Sequence, residues 1–305
     1  MEFTTRLERN KTGSLKSPAT ARAAWFQLFR PPNLFTVPGD PVCGFLLAGG
    51  ALIDWTWSFA VSASLLLYTA GLLLNDVLDL REDAVERPHR PIPSGMVQPV
   101  AVWVAASVLL LFGLGVASVG GILALKMGAL LILAIAAYDG GLKRVPVLGA
   151  VTMGMCRAFS VLLGASFMGA LTTPAITAAV LIGLYIAAVT ELARHETKAF
   201  APRYARVLPV LVMALGVVLV RRDVASLILL VAAGMVAGGC AVRLFRQQET
   251  PIPPMIGLLI RNLLLIQAAF CVAARSVHSS AWWAAVVLII FWPLGRLAAK
   301  RFYAS

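Results

Sequence analysis

The sequence predicts an all-α, polytopic membrane protein, a bundle of nine to ten transmembrane helices. Three observations point there. Of 305 residues, 60% are hydrophobic and only 13% are charged, against about 45–50% and about 25% in a typical soluble domain. Mean hydropathy is +0.86. The apolar residues also gather in runs of about 20, the length a helix needs to cross a bilayer. Such a chain would expose too much apolar surface in water, so its solvent is lipid. The same composition excludes a disordered chain, a coiled coil and a disulfide scaffold.

Taken in order, residues 1–33 read as a basic, polar tail without the apolar centre of a secretory signal. Within it, Ala19 to Arg30 suit a short helix lying on the membrane surface. Spans follow near 34–53, 56–75, 98–117, 120–138, 147–170, 174–193, 205–220, 224–243, 255–274 and 281–297. Nine spans is the alternative: 205–220 is short, and 281–297 meets Pro293 and Gly295 early. The transmembrane bundle thus covers residues 34–298, and 299–305 form a C-terminal tail. No loop is long enough for a soluble domain, so any chemistry falls to helix ends, short loops and the bundle interior. Cys43, Cys156, Cys240 and Cys271 form no CxxC pair and read as small core residues.

Net charge is +12. In a soluble protein this would suggest nucleic acid; here it records topology, and no nucleic-acid partner is expected. With the N-terminus inside, loops 76–97, 139–146, 194–204 and 244–254 face the cytoplasm and, with their flanking helix ends, hold most of the Lys and Arg. Almost every polar cluster lies on that one side. The expected location is therefore the inner membrane, with the active site facing the cytoplasm.

The most informative stretch runs from Leu72 to Gly95. Asp76, Asp79 and Asp83 are spaced i, i+3, i+7 below Asn75, one face of a helix. Like charges at that spacing repel unless something cationic sits between them. Hard carboxylate oxygens suit Mg²⁺, which binds through one or two carboxylates plus substrate phosphates. Arg87 and Arg90 follow in a stiff, proline-rich segment, placed to face a phosphate. Two readings stand: a solvated helix end that stops a span, or a Mg²⁺–diphosphate site.

These residues also carry a resemblance. Asn75-Asp76-x-x-Asp79-x-x-x-Asp83, followed by Arg87-Pro88-x-Arg90-Pro91-Ile92-Pro93-x-Gly95, resembles the first signature of the UbiA superfamily of intramembrane prenyltransferases. Arg30 and Asn33 resemble the R-x-x-N at that family's first span. Tyr138 to Lys143 and Arg144 resembles its Tyr…Lys-Arg loop, although the spacing is five residues against a common four. Details around Tyr138 and Met153 to Arg157 look closest to the EboC-like branch. The resemblance implies two pseudo-repeated four-helix halves, a Mg²⁺ cofactor, and transfer of an isoprenoid chain from its diphosphate to an aromatic or other small acceptor. It implies catalytic roles for Asp76, Asp79 and Tyr138, and diphosphate contacts from Arg30, Asn33, Asn75, Arg87, Arg90, Lys143 and Arg157. Arg157, more than two turns into an apolar run, is a functional candidate on physical grounds as well.

A weak internal repeat sets Tyr68, eleven residues before Asp79, against Tyr185, eleven before Glu196. The resemblance places a second acidic motif there, usually of Asp. Here it is altered to Glu191 and Glu196, five positions and so about 140° apart on a helix. Together with the three aspartates they complete the expected metal ligands, Asp76, Asp79, Asp83, Glu191 and Glu196. Because His195 stands four residues after Glu191, those two share a face. The rival reading, motivated by this altered motif, is a transporter or lipid-handling protein that keeps the fold without transferase chemistry.

Overall fold

The apolar runs fold as helices. The computed structural model describes residues 18–196, 201–220, 223–246, 252–276 and 279–302, and no strand occurs among them. Short α1 (Pro18–Phe29) and α2 (Pro31–Leu34) lead into α3 (Gly39–Leu47), α4 (Thr56–Leu78) and α5 (Leu80–Glu86). Then come α6 (Pro99–Ser118), α7 (Gly121–Asp139), α8 (Leu148–Ser166) and α9 (Thr173–Ala193). The chain ends with α10 (Arg203–Leu219), α11 (Val224–Arg246), α12 (Ile252–Ala273) and α13 (Ala281–Phe302). Among the described residues eight helices, α4, α6 to α9 and α11 to α13, are long and apolar enough to cross a membrane. Short connections make neighbours antiparallel. The protein is an integral membrane protein.

Local chemistry explains the starts. Pro99 opens α6, where a missing N–H costs nothing. Thr172 caps α9, its Oγ1 accepting from the Ala175 backbone N–H. The helix expected before Arg30 forms as α1, and it buries Ala24 and Leu28 in the core cluster of α4 and α6. The large side chains left outside, such as Val104, Leu111 and Phe112 on α6, suit a lipid-facing surface.

Three expectations need correction. The run 34–53 is no continuous span, because Pro38 and Gly39 break it between α2 and α3. A break at membrane depth survives only where it is buried and its backbone groups are re-satisfied. The freed Thr36 carbonyl accepts from Arg157 and from Gln267 Nε2, each at 2.8 Å. The last helix, by contrast, does not end near Pro293; it continues to Phe302. Nor do the three aspartates sit on one unbroken helix. Asp79 lies at the junction between α4 and α5, and the i→i+4 bonds Asp79 N–H to Asn75 and Asp83 N–H to Asp79 bridge it.

The broken segment is packed centrally. A Cβ on Gly44 would overlap the Val161 carbonyl, and one on Gly164 would overlap that of Pro41. Reciprocal small residues thus let α3 and α8 meet backbone to backbone, the usual basis of helix contact where lipid removes the hydrophobic drive. The core falls mainly into one cluster around α3 and α8 to α13 and another around α1, α4, α6 and α7, with Cys156 and Phe159 of α8 packed against the latter.

Candidate active site

At the end of α4 the chain gathers its charges. Asp76 and Asp83 are nearly buried. Arg90 joins them, 2.6 Å from Asp83 and 3.8 Å from Asp76. Arg30 also pairs with Asp76. It can do so because it turns the chain between α1 and α2 in the left-handed region, at φ 45°. Asp79 points elsewhere: its carboxylate lies 2.6 Å from Lys143 Nζ, which is also 3.6 Å from Asp139. Asn75 Nδ2 donates to Asp139 at 2.8 Å.

The odd Tyr138–Lys143 spacing has a local explanation. The extra residue is absorbed by Gly141, at φ 138°, and by the 3₁₀ turn Leu142–Arg144. Only glycine adopts that backbone readily, and the turn brings Lys143 back over the end of α7. Its neighbour Arg144 stays on the exposed rim, 3.5 Å from Glu82.

Below this polar cap lies a cavity of about 110 Å³ between α4, α7 and α8. Asn75, Tyr138 and Asp139 stand at its mouth, and Gly71, Leu131 and Ile135 line its middle. Its deep end is marked by Ser64, Arg157 and Ser160. Arg157 was expected with the diphosphate group. The structure places it along the cavity wall, with Nε 2.8 Å from Asp40 and the guanidinium over the Tyr68 ring.

The second half contributes less to the cap. Glu196 reaches across to Arg87, 3.7 Å away, and Arg87 in turn is 3.9 Å from Asp83. Glu191 is buried and held within its own half, accepting from Tyr204 Oη at 3.0 Å and from Arg194 at 3.4 Å. His195 Nδ1 lies 3.0 Å from the Glu191 carbonyl, a contact that closes the end of α9. Asn33 contributes its carbonyl, which accepts from Thr36 Oγ1.

The five expected metal ligands therefore do not form a protein cage. Among the described residues, no three His, Cys, Asp or Glu side chains converge as a metal-binding group. What the cap does offer is hard carboxylate oxygen, with Asp76 and Asp83 within reach of one guanidinium. Mg²⁺ usually keeps waters and takes one or two carboxylates plus substrate phosphates. The donor set fits an ion shared with a diphosphate, with Asp76 and Asp83 as holders, and does not fit one enclosed by protein alone.

Sequence reasoning missed Asp40, Asp139 and Gln267. Asp40 is fully buried in a run otherwise apolar, a signal that was available. Asp139 follows Tyr138 directly and looks like a helix-end acid. Gln267 had no local signal: its partner Asp40, 2.7 Å away, lies 227 residues earlier.

Comparison with known proteins gives the same direction. A solved UbiA homolog from Archaeoglobus fulgidus, bound to GPP and Mg²⁺, superposes with a TM-score of 0.63 at 14% identity, over 84% of this chain and 99% of that one. One from Aeropyrum pernix gives 0.63 at 17% identity, over 78% and 96%. At such identities the likeness speaks to fold. In sequence, the digeranylgeranylglyceryl phosphate synthase of Methanoculleus marisnigri is 30% identical over 147 residues, 48% of this chain and 52% of that protein. That of Natronomonas pharaonis is 30% identical over 172 residues, 56% and 60%. The chain thus spans little more than half the length of the curated relatives it matches. Residues 41–193, which include the cap aspartates, Tyr138, Lys143 and Arg157, match the profile of the UbiA prenyltransferase family. That match covers half of the chain, and the chain belongs to this family.

Proposed function

We propose that this protein transfers an isoprenoid chain from an allylic prenyl diphosphate to an acceptor, with Mg²⁺, at the cytoplasmic face of the membrane. One observation carries the reading: a cap of paired acids and bases sits at the mouth of an apolar cavity. A charged head and a hydrocarbon tail are what that combination holds.

Bound with the diphosphate, Mg²⁺ would supply charge neutralisation at the leaving oxygens. Asp76 and Asp83 would hold it. Arg30, Arg87, Arg90 and Lys143 bind and orient the phosphate oxygens. The carboxylates that now engage these bases keep them aimed at the mouth. Asp139 holds Asn75 and Lys143 in place. Tyr138 presents its ring where the diphosphate head meets the cavity, against the allylic carbon as positive charge develops there. The apolar walls exclude water, which would otherwise capture that carbon. As the C1–O bond breaks, the acceptor bonds to C1 and gives up its own proton to the released diphosphate or to water, and diphosphate leaves the cap.

The relatives' name describes a glyceryl phosphate bearing two geranylgeranyl groups, so a glyceryl phosphate belongs among the acceptors tested, beside aromatic ones. The transport reading gains nothing from the cavity. The ionisable pair at its depth, Arg157 and Asp40, is mutually neutralised and tied to the Thr36 carbonyl.

The test is direct. Purified protein with Mg²⁺, allylic diphosphates of several lengths and both acceptor classes should release diphosphate and form a prenylated product. Asp76→Ala should lose both while eluting as the native protein. Acceptor-independent silence across the panel, or full activity in Asp76→Ala, would refute the proposal.

A further inference from the structure

The cavity descends along two helices in one-turn steps. Asn75, Gly71, Tyr68 and Ser64 form the stripe on α4, and Met153, Cys156 and Ser160 form that on α8. Both stripes end at the same place. Ser64 and Ser160 are 1% and 4% exposed, and their hydroxyls lie 2.7 Å apart. Beyond them Ala63, Met127 and Leu163 close into a tight cluster. The passage above that floor stays open at Gly71, where a Cβ would come 3.3 Å from Ile135 Cγ2.

Polar groups at the end of a hydrocarbon channel need an account, since an unpaired one would repel the tail. Here each has a partner. The two serines satisfy one another, and the Arg157 guanidinium is engaged by Asp40 and the Thr36 carbonyl. The floor is therefore polar in composition and closed in its bonding. A hydrogen bond between two helices at that depth also resists being wedged apart.

We propose that the Ser64–Ser160 pair is the chain-length stop of this site, and that the protein takes a farnesyl chain in preference to a geranylgeranyl one. The inference rests on the prenyl-transfer reading. Asn75 and Ser64 are separated by eleven residues of continuous helix, which at about 1.5 Å per residue is about 16 Å. An extended isoprenoid, with carbon–carbon bonds of about 1.5 Å, advances about 5 Å per unit. The three units of a farnesyl chain match that depth in length; their bulk exceeds the open space of about 110 Å³, so the side walls must part as the chain enters while the floor holds. A fourth would have to displace the serine pair or the cluster beneath it.

The experiment measures binding and turnover separately. Non-hydrolysable thiolodiphosphate analogues of geranyl, farnesyl and geranylgeranyl chains are titrated against the purified protein with Mg²⁺, and the true diphosphates are assayed for kcat/KM. Farnesyl should bind about tenfold or more tighter than geranyl, because another unit is buried, and geranylgeranyl should bind more weakly than farnesyl. Ser160→Leu, which raises the floor, should move the optimum to geranyl. The wild-type ranking decides the matter even if that variant does not fold. Geranylgeranyl bound and turned over at least as well as farnesyl overturns the stop, and so does a folded Ser160→Leu with an unchanged ranking. Length-ordered binding without diphosphate release would sink the transfer reading and support the stop. Transfer that favours geranylgeranyl would do the reverse, and no binding at any length overturns both.

Discussion

Asp40→Asn tests the deepest feature of the fold. Asp40 is fully buried, 2.8 Å from Arg157 Nε and 2.7 Å from Gln267 Nε2. The substitution keeps the shape and leaves an oxygen for Gln267, but it removes the charge that faces the guanidinium. Breaking a buried pair on one side typically costs about 3–5 kcal/mol, and an Arg at the centre of a membrane helix costs about 2.5–3.5 kcal/mol on insertion scales. Arg157 keeps its bond to the Thr36 carbonyl, so the lower end is expected, about 3 kcal/mol. Reversible unfolding in mixed micelles, run on Asp40→Asn, Arg157→Met and the double variant, measures both the cost and the coupling. The double variant should recover most of the loss, because no charge is then left alone. A cost below about 1 kcal/mol with no coupling would refute the network, since the pair could not then be the bond that joins α3 to α8.

Four further outcomes follow from the cap and the second half. Asp79→Asn should cut turnover by about 100-fold or more by leaving Lys143 without its close partner and loosening its aim; single-turnover rates check this. Arg90→Lys keeps the charge but loses the planar guanidinium, whose Nη1 lies near both Asp83 and Asp76 and whose other N–H groups could meet a phosphate, so apparent KM for the diphosphate should rise about tenfold with topology, read by cysteine labelling, unchanged. Glu196→Gln should raise the Mg²⁺ concentration needed for half-maximal activity. Glu191→Gln should instead lower stability by about 1–2 kcal/mol through its bonds to Tyr204 and Arg194, leaving the Mg²⁺ requirement alone.

Much of this was legible in one dimension. Apolar run length placed most helices, and the acidic and basic spacing of 75–95 marked the cap, because both signals are local. The broken segment 34–53 misled for a physical reason. Its composition is that of a span, and whether Pro38 kinks or breaks it depends on partners that re-satisfy the backbone. Those partners, Arg157 and Gln267, lie on α8 and α12. The three aspartates were read as one face, yet the junction at Asp79 turns it to a different base from the one that joins Asp76 and Asp83. Periodicity assumes an unbroken helix and cannot register such a turn. The diphosphate role expected of Arg157 came from the resemblance; the cost of an intramembrane charge says only that a partner exists and not which one.

The altered second motif can now be understood as a division of labour. An acid at Glu191 is spoken for by Tyr204 and Arg194, both from the same half. His195 is spent on the end of α9. Of this segment's described acids, Glu196 is the one that crosses to the first half, where it meets Arg87. Arg87 also lies near Asp83, so a carboxylate from each half shares one base. Moving Glu196 away would leave Arg87 to Asp83 alone and draw it towards α5. The second half thus sets where a first-half base points, and it does so with a single long side chain. A shorter Asp at that position would fall about one methylene short of the 3.7 Å contact. The departure from an aspartate-rich motif is therefore matched to the distance it must span, and Glu196→Asp should disturb the cap nearly as much as Glu196→Gln.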